Sequence, residues 1–280
     1  MPHFSIEFFP TQTEAGSARL KLERDELAKL EPDFFSVTYG AGGTTRGRTF
    51  ALIKEIALEK QVAVPHLSCI GATEESLLSL LEAYKELGVD KIVALRGDLP
   101  SGMARAGEFR YAADLMHLVK QHYGNDFTLI VAAYPEYHPE AKSPEADLNA
   151  FVGKCKAGAA AAITQYFFNP DAYFHFVNAA QKKGVDIPII PGIMPITSFS
   201  KLARFSDNCG AEIPRWMRRK FESFYDDTAS VRAFGLDVVT NLCAQLLENG
   251  APGIHFYSMN QAELIVEIVQ RLRTTSLWER

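Results

Sequence analysis

The sequence contains no apolar run that approaches the length of a membrane span, which needs about 20 consecutive apolar residues. It also lacks an excess of basic charge, because 29 Lys and Arg residues stand against 34 Asp and Glu residues, a net charge of −5. A nucleic-acid groove needs a concentrated basic surface. The composition therefore argues against a membrane protein and against a nucleic-acid-binding protein.

Cysteine is scarce and scattered. The four cysteines, at positions 69, 155, 209 and 243, are far apart and form no C-x-x-C pair, and the N-terminus (MPHF) lacks the layout of a signal peptide. We therefore expect a cytoplasmic protein with reduced thiols, and no metal site of the zinc or iron–sulfur kind.

Several motifs of common enzyme classes are missing. The segment 40–45 (GAGGTT) follows an apolar run, but it matches neither G-x-G-x-x-G nor G-x-x-x-x-G-K-[ST], so it is a weak phosphate-loop signal. The nucleophile elbow G-x-S-x-G is absent, and no lysine ends a predicted strand. The first absence argues against a serine hydrolase of that type, and the second against Schiff-base aldol chemistry.

What the sequence does contain is a regular alternation of short apolar runs and amphipathic stretches. With 280 residues and 47% hydrophobic content it can bury a full core. Runs that are apolar throughout are typical of parallel strands covered by helices on both faces. About eight such units, with three extra helices (199–208, 214–221 and 228–248) before the last strand, predict an α/β fold, a single (β/α)8 TIM barrel over residues 1–280. A doubly wound open sheet is the alternative, although it would normally carry a glycine phosphate fingerprint.

Nearly every apolar run ends on a residue that can take part in chemistry. These residues are Glu7, Thr38, His66, Arg96, Asp98, Tyr134, Gln165 and Tyr257. Because parallel strands point their carboxyl ends to one side, we expect these side chains to share one pocket. The pattern indicates an enzyme.

Glu7 stands alone among Phe4, Ile6, Phe8 and Phe9. Apolar surroundings favour the neutral form of a carboxyl group, which is what a general acid requires. The alternative is a structural role, in which the carboxylate pairs with an arginine and closes the barrel floor.

Arg96, Gly97 and Asp98 follow the fourth apolar run. The glycine would let a flat ligand approach the backbone, the arginine could bind phosphate or a carbonyl, and the aspartate would place a negative charge beside the ligand. A plain turn with Asp98 as a helix cap is the alternative, which the following stretch 102–107 disfavours because no helix starts at once.

Three further features each have two interpretations. The segment 134–140 (YPEYHPE) is dense in polar aromatics and could bind a ligand, but lacks partners at metal spacing. Lys154 on a predicted helix could reach a phosphate or could simply be solvated. The segment 165–168 (QYFF) could grip a planar heterocycle, or its rings could be ordinary core.

Eight short segments, in order from residue 4 to about residue 261, together resemble the methylenetetrahydrofolate reductase family. They are EFFP (7–10), SVTYGA (36–41), PHL (65–67), ALRGD (94–98), AYPE (133–136), HPEA (138–141), ITQ (163–165) and HFY (255–257). The resemblance implies a barrel with tightly but non-covalently bound FAD. The flavin would take hydride from NADH or NADPH and pass it to 5,10-methylenetetrahydrofolate, giving 5-methyltetrahydrofolate in one-carbon metabolism for methionine synthesis. It also implies a homo-oligomer. Since the chain stops at Arg280, we expect the short bacterial form, without the regulatory domain of some eukaryotic members.

The same resemblance assigns roles to individual residues. Glu7 matches the general acid that protonates the folate nitrogen, and Asp98 matches the carboxylate that stabilises the resulting iminium cation. Flavin contacts are expected from Tyr39, Ala41, His66, Arg96, Gly97, Asp98, Ala112, Tyr134, His138, Ala141, Asp147 and Lys154. Contacts to folate or nicotinamide are expected from Thr38, Gln165, Lys201, Phe205 and Gln261, with Phe205 stacking. Two positions depart from the commoner family pattern: Lys201 stands where Gln is frequent, and Gln261 stands where Arg is frequent. These departures bear on the affinity for the substrate rather than on the chemistry.

Two other functions are alternatives. A flavin barrel that oxidises amino acids would need an arginine pair for the substrate carboxylate, and the sequence shows none. A catalytically silent barrel subunit would be favoured by loss of Glu7 or Asp98, and both are present. No fingerprint in the sequence distinguishes NADH from NADPH.

Overall fold

The structure is a computed structural model that describes residues 3–40, 45–98, 107–225 and 227–275. Ala41, one of the expected flavin contacts, lies outside these residues. The strands are β1 (His3–Phe8), β2 (Phe34–Val37), β3 (Ala63–Ser68), β4 (Lys91–Leu95), β5 (Thr128–Ala133), β6 (Ala161–Thr164), β7 (Ile189–Ile190), β8 (Gly192–Ile193) and β9 (Gly253–Tyr257). The helices are α1 (Glu14–Ala28), α2 (Arg46–Leu58), α3 (Glu74–Glu86), α4 (Ala112–Tyr123), α5 (Pro144–Lys156), α6 (Pro170–Lys182), α7 (Phe199–Cys209), α8 (Arg215–Glu222), α9 (Thr228–Glu248) and α10 (Glu263–Arg273).

The strands form one parallel sheet in the order β7-β6-β5-β4-β3-β2-β1-β9-β8. β7 pairs with β6 and β8 pairs with β9, and the two are consecutive in the chain on either side of Pro191. The single strand predicted over 187–193 is therefore split, because proline has no N–H to give to the ladder. Its carbonyl still accepts from the His255 N–H at 2.9 Å. The sheet closes at this point, and the predicted (β/α)8 barrel is confirmed.

Alternation along the strands separates two apolar layers. A cluster inside the barrel takes one residue from each of six strands: Phe34, Val64, Val93, Ile130, Ile163 and Ile190. The larger core, which includes Ile6, Phe8 and Phe256, lies between the sheet and the helices. Both layers follow from the period of two in a strand, which turns successive side chains to opposite faces of the barrel wall.

Above the inner apolar cluster, the inward-facing positions become polar. Glu7 lies in register with Ser36 on β2 and with Tyr257 on β9, and His66 lies two residues beyond Val64 on β3. We call the end of the barrel at the carboxyl ends of the strands the barrel mouth. The apolar cluster closes the barrel below it, so the polar side chains line a pocket rather than a pore.

The excursion α7–α9 between β8 and β9 is present as predicted. Its helices pack through aromatic rings: Phe199 stacks on Phe221 with centroids 5.2 Å apart, and Phe221 meets Phe234 at 5.0 Å. The Ser206 hydroxyl on α7 hydrogen-bonds the Tyr166 hydroxyl at 3.1 Å, which fixes α7 against the loop that follows β6. None of the helices in the described residues is both long and apolar enough to cross a membrane.

Candidate active site

Glu7 lies beside two buried histidines at the barrel mouth. Its Oε2 is 3.3 Å from His66 Nε2 and 3.8 Å from His255 Nε2, and its side chain is 16% exposed. The expectation of purely apolar surroundings was wrong, because the flanking Ile6 and Phe8 face the outer core while Glu7 points inward. Within the described residues its ion-pair neighbours are histidines, which removes the support for the alternative of an arginine pair.

The two imidazoles place their buried Nε2 atoms within ion-pair distance of the Glu7 carboxyl group but form no hydrogen bond with it. Burial lowers the pKa of His66, the Glu7 charge opposes that shift, and His255 reinforces it, so His66 is neutral at neutral pH. In the described residues, the Nε2 atoms of His66 and His255 are both buried without a hydrogen-bond partner. His255 is oriented through its Nδ1, which lies 2.7 Å from the Ser5 hydroxyl.

Tyr257 spans the barrel beside this cluster. Its hydroxyl donates to the Thr164 carbonyl on β6 at 2.6 Å, and burial, then the Glu7 charge, hold its pKa well above its ordinary value. The ring passes over Gly192, where a Cβ atom would lie 2.6 Å from the ring and 2.1 Å from the Thr164 carbonyl oxygen. Gly192 is therefore what makes room for the tyrosine.

The β4 loop holds Arg96 and Gly97 in a defined arrangement. The Arg96 guanidinium donates to Glu140 at 2.7 Å and to the Gly97 carbonyl at 3.1 Å. Gly97 has φ +82°, and a Cβ there would lie 1.7 Å from the Ser68 hydroxyl oxygen. The sequence suggested that this glycine makes room for a ligand. In the structure a larger residue is excluded at position 97 by the Ser68 side chain on β3.

Asp98 is exposed at the end of the same loop. The next described helix, α4, begins at Ala112 with Tyr111 as its N-cap, so Asp98 does not cap α4. Its charge reaches the pocket, because burial raises the pKa of Tyr134 to about 12 and the charges of Asp147 and Asp98 add to that shift. Asp98 and Glu7 therefore lie at the same end of the barrel, as predicted.

The segment after β5 folds into a compact unit. The Tyr134 ring meets the His138 ring edge-on at 4.6 Å, and the His138 N–H donates to the Asp147 carboxylate at 3.1 Å. The Ala141 N–H donates to the His138 carbonyl at 2.9 Å. These contacts bring four of the expected flavin contacts together next to Arg96 and Glu140.

Lys154 points from α5 toward the barrel mouth. Its Nζ donates to the Ala132 carbonyl near the end of β5 at 2.5 Å. Burial lowers its pKa to about 8, while the Asp147 charge opposes that shift. The alternative of an ordinary solvated lysine is wrong. In the described residues this cation has a nearby acidic charge but no carboxylate within ion-pair distance.

The segment 165–168 divides into one polar residue and a packed core. Gln165 is half-buried and accepts the Tyr166 N–H at 3.0 Å through its own side chain. Tyr166, Phe167 and Phe168 are buried, and Phe167 stacks on Tyr173 with centroids 5.6 Å apart. The idea that these three rings grip a heterocycle was wrong, since all three side chains are buried in the core.

The remaining predicted residues are at or near the barrel mouth on other elements. Thr38 directly follows β2, and its N–H donates to the Phe8 carbonyl at 2.9 Å. Phe205, on α7, is 37% exposed, a high value for a large apolar ring, and Lys201 is exposed one turn before it. Gln261 is half-buried in the loop after β9. Tyr39 is half-buried after β2, and Ala112 is buried in the first turn of α4.

Two residues of this site, His255 and Glu140, were not assigned from the sequence. His255 and Tyr257 alternate on β9 as Ser5 and Glu7 do on β1, and that shared period of two was the signal that could have placed His255 beside Glu7. Glu140 could not have been found in this way, because its contact with Arg96 joins residues 44 positions apart.

A closed (β/α)8 barrel with a polar, partly buried acid and two histidines at the carboxyl ends of its strands has the layout of a barrel enzyme. Residues 1–273 match the family model described as methylenetetrahydrofolate reductase, and the chain belongs to that family. It is 40% identical over 269 residues to 5,10-methylenetetrahydrofolate reductase of Escherichia coli (strain K12), an alignment that covers 96% of this chain and 90% of that protein. It is 33% identical to methylenetetrahydrofolate reductase (NADH) 1 of Arabidopsis thaliana over 96% of this chain and 48% of that protein.

A solved structure shares the fold. A Clostridium thermocellum protein, which binds two copies of 5-methyl-5,6,7,8-tetrahydrofolic acid, superposes with a TM-score of 0.65 over 98% of this chain and 96% of its own. Its sequence identity is 17%, so this similarity shows the architecture alone.

Proposed function

We propose that this protein uses FAD to reduce 5,10-methylenetetrahydrofolate to 5-methyltetrahydrofolate, with NADH or NADPH as the hydride source in a ping-pong cycle. The observation that carries the proposal is Glu7, a partly buried carboxyl group at the barrel mouth of a chain that belongs to this family. The reaction would supply methyl groups for methionine, and we place it in the cytoplasm and in a homo-oligomer.

The residues around β4 and β5 fit a flavin dinucleotide. Lys154 is a half-buried cation whose hydrogen-bond acceptor, among the described residues, is the Ala132 carbonyl, and a diphosphate would supply an anionic partner. Arg96, whose charge acts on Tyr134 and whose guanidinium pairs with Glu140, would meet a second polar part of the cofactor. When bound, the flavin supplies the hydride chemistry of the reaction.

Glu7 is the proposed general acid toward the folate. A carboxyl group that is 16% exposed is reachable from the pocket yet partly shielded from water. His66 beside it is neutral, because burial lowers its pKa. Glu7 would therefore deliver its proton to a folate nitrogen, so that the methylene bridge opens to an iminium cation.

Asp98 is proposed to stabilise that cation electrostatically, since its charge already acts on Tyr134 in the same pocket. The folate and nicotinamide would contact Thr38, Gln165, Lys201, Phe205 and Gln261. Phe205 presents an exposed ring suited to stacking, in keeping with this role. The Clostridium thermocellum protein that binds 5-methyltetrahydrofolic acid supports a folate site in a barrel of this fold.

The test is anaerobic. Purified protein should be yellow, and its flavin should be reduced by NADH or NADPH and then reoxidised by methylenetetrahydrofolate with formation of 5-methyltetrahydrofolate. Reoxidation by an imino acid instead would identify an amino-acid-oxidising flavin barrel. Protein that is colourless and does not take up FAD would indicate a catalytically silent barrel.

A further inference from the structure

The loop after β9 holds two consecutive residues in a conformation that their side chains disfavour. Met259 has φ +51° and Asn260 has φ +55°, both in the left-handed region. Such a conformation is uncommon for non-glycine residues and persists only where surrounding contacts hold it in place. The contacts of Asn260 and Ser258 identify what holds this loop.

Asn260 grips the backbone just after Glu7. Its Oδ1 accepts the Phe9 N–H at 3.0 Å, and its Nδ2 donates to the Phe9 carbonyl at 2.9 Å. One side chain thereby satisfies both backbone groups of a residue 251 positions away. Only a primary amide offers a donor and an acceptor on one rigid plane for such a contact.

Ser258 grips Glu7 itself. The Glu7 carbonyl accepts from the Ser258 hydroxyl at 2.5 Å and from the Ser258 N–H at 3.2 Å. The same hydroxyl accepts the backbone N–H of Asn260 at 3.1 Å, so the Ser258 side chain is tied to the backbone of the residue that holds Phe9. We call Ser258 and Asn260 the β9 clamp.

The position of the clamp relates it to the acid. The register between β1 and β9 ends at the pair Glu7–Tyr257. Beyond this pair, regular strand pairing no longer fixes the β1 backbone against β9. The β9 clamp fixes it instead, through Ser258 at the Glu7 carbonyl and Asn260 at the Phe9 backbone. The first of these anchors is the backbone of Glu7 itself, whose carboxyl group lies 3.3 Å from His66.

We infer that Asn260 is a positioning residue for Glu7: it locks the end of β1 so that the carboxyl group is held against the barrel mouth in the orientation needed to protonate the folate. The inference rests on the proposed function. A displacement of about 1 Å at a reacting group can lower the rate about 10²-fold. Loss of the Asn260 contact with Phe9, two residues from Glu7, should therefore slow the folate step strongly.

The test distinguishes the effect of losing the Asn260 side-chain amide from the effect of relaxing the left-handed backbone. Asn260→Gly removes the amide, while glycine accepts φ +55° without strain. Met259→Gly is the matched control, because it relaxes the neighbouring left-handed residue and leaves the clamp intact. Each half-reaction is followed by rapid mixing in protein loaded with FAD, and the thermal midpoint of each variant is measured alongside.

We expect Asn260→Gly to slow the transfer from reduced flavin to methylenetetrahydrofolate by about 10²-fold, with folate binding and flavin reduction by the nicotinamide within a few-fold of wild type. Met259→Gly should leave both half-reactions within a few-fold. Asn260→Asp keeps the acceptor for the Phe9 N–H but sets an oxygen against the Phe9 carbonyl, so it should fail to restore the folate step. Hydrogen exchange at the Phe9 N–H should speed up in Asn260→Gly and remain slow in Met259→Gly.

An unchanged folate step in Asn260→Gly, or an equal loss in both half-reactions, would overturn the positioning role. The same holds for Phe9 exchange that is as slow in Asn260→Gly as in wild type. A wild-type protein whose reduced flavin transfers nothing to methylenetetrahydrofolate would overturn the proposed function, and the inference with it. If wild type transfers hydride from reduced flavin to methylenetetrahydrofolate and Asn260→Gly does so at the same rate, the inference alone is overturned and the proposed function stands.

Discussion

At the scale of single residues, the proposed function distinguishes side chains that would act on the substrate from side chains that hold them in position. Glu7, with His66 and His255 close to its carboxyl group, is the residue on which the proposed chemistry depends most directly. In the proposed mechanism the Glu7 proton opens the methylene bridge, whereas hydride transfer from the nicotinamide to the flavin would need no proton on the folate.

Glu7→Gln tests this distinction, because glutamine keeps the size and hydrogen bonding of the side chain but has no acidic proton. We expect the folate half-reaction to fall at least about 10²-fold. Flavin reduction by the nicotinamide should stay within a few-fold of wild type. Rapid mixing measures both, and an equal loss in the two half-reactions would mean that Glu7 acts in flavin positioning or in structure.

Lys154 carries a prediction on pH. Its pKa of about 8 means that its charge is present below that pH and is lost as the pH rises through it. If the charge binds the cofactor phosphate, FAD affinity should decrease as pH rises above about 8. Lys154→Met should weaken binding at neutral pH by about 1–3 kcal/mol and should flatten this pH dependence. Equilibrium FAD titrations of the apoprotein across this range measure both effects, and a wild-type affinity that is flat with pH would exclude a phosphate contact.

At the scale of elements, close approaches between neighbouring strands demand particular residues. Gly192→Ala would force a Cβ to within 2.1 Å of the Thr164 carbonyl, which is backbone and cannot move alone. We expect a loss of about 1–3 kcal/mol or more in the free energy of unfolding. Gly47→Ala is the matched control, since nothing lies within 4 Å of a Cβ there. Because it sits in α2, it should be neutral or stabilising by up to about 1 kcal/mol. Urea unfolding of both variants decides this, and equal effects would contradict the crowding at Gly192.

A second element-scale prediction concerns the contact between α1 and α2. Arg24 is only 1% exposed on α1 and donates to Glu55 on α2 at 2.6 Å and to Glu59, the C-cap of α2, at 2.8 Å. Its Nε and Nη1 atoms are buried with no hydrogen-bond partner in the described residues. Removing both carboxylates (Glu55→Gln with Glu59→Gln) leaves a buried cation without an anionic partner. We expect the free energy of unfolding to fall by about 3 kcal/mol or more. Arg24→Met fills the space and leaves two carboxylates that water can reach.

We therefore expect Arg24→Met to cost less than the double glutamine variant, although both remove the ion pairs of Arg24. The double variant also removes the pair of Glu59 with Lys21 at 3.3 Å, whose partners are both partly exposed and which contributes little. Urea midpoints and slopes of the three proteins are compared at one pH. If Arg24→Met proved the more damaging change, the buried guanidinium would be a net source of stability rather than a group that needs its partners.

At the scale of the whole molecule, the barrel brings residues from distant parts of the chain into one pocket, and we propose that the pocket holds FAD without a covalent bond. Denaturing the purified protein should release all the flavin as FAD, which chromatography of the supernatant measures. Flavin that stays on the polypeptide, or release of FMN alone, would contradict this. A protein that binds FAD should also unfold at a higher temperature as free FAD is added, because the ligand binds only the folded state.

The sequence alone determined the α/β class, the order of elements and the end of the barrel at which polar residues gather. It could do so because the period and length of apolar runs are local properties, and parallel strands leave only one side for their carboxyl ends. The excursion α7–α9 was predicted at nearly its observed bounds for the same reason.

The tertiary structure decided which groups meet. Glu7 looked isolated in the sequence because Ile6 and Phe8 flank it, but strand alternation turns them outward and brings in His66 and His255, 59 and 248 residues away. The sequence left the rings at 166–168 open to ligand binding, and the structure buries them in the core. It also left open that Lys154 is solvated, and the structure half-buries it. The β9 clamp joins the two ends of the chain. Such contacts depend on closure of the barrel, which sets the distance between strands far apart in sequence, and no local pattern encodes that distance.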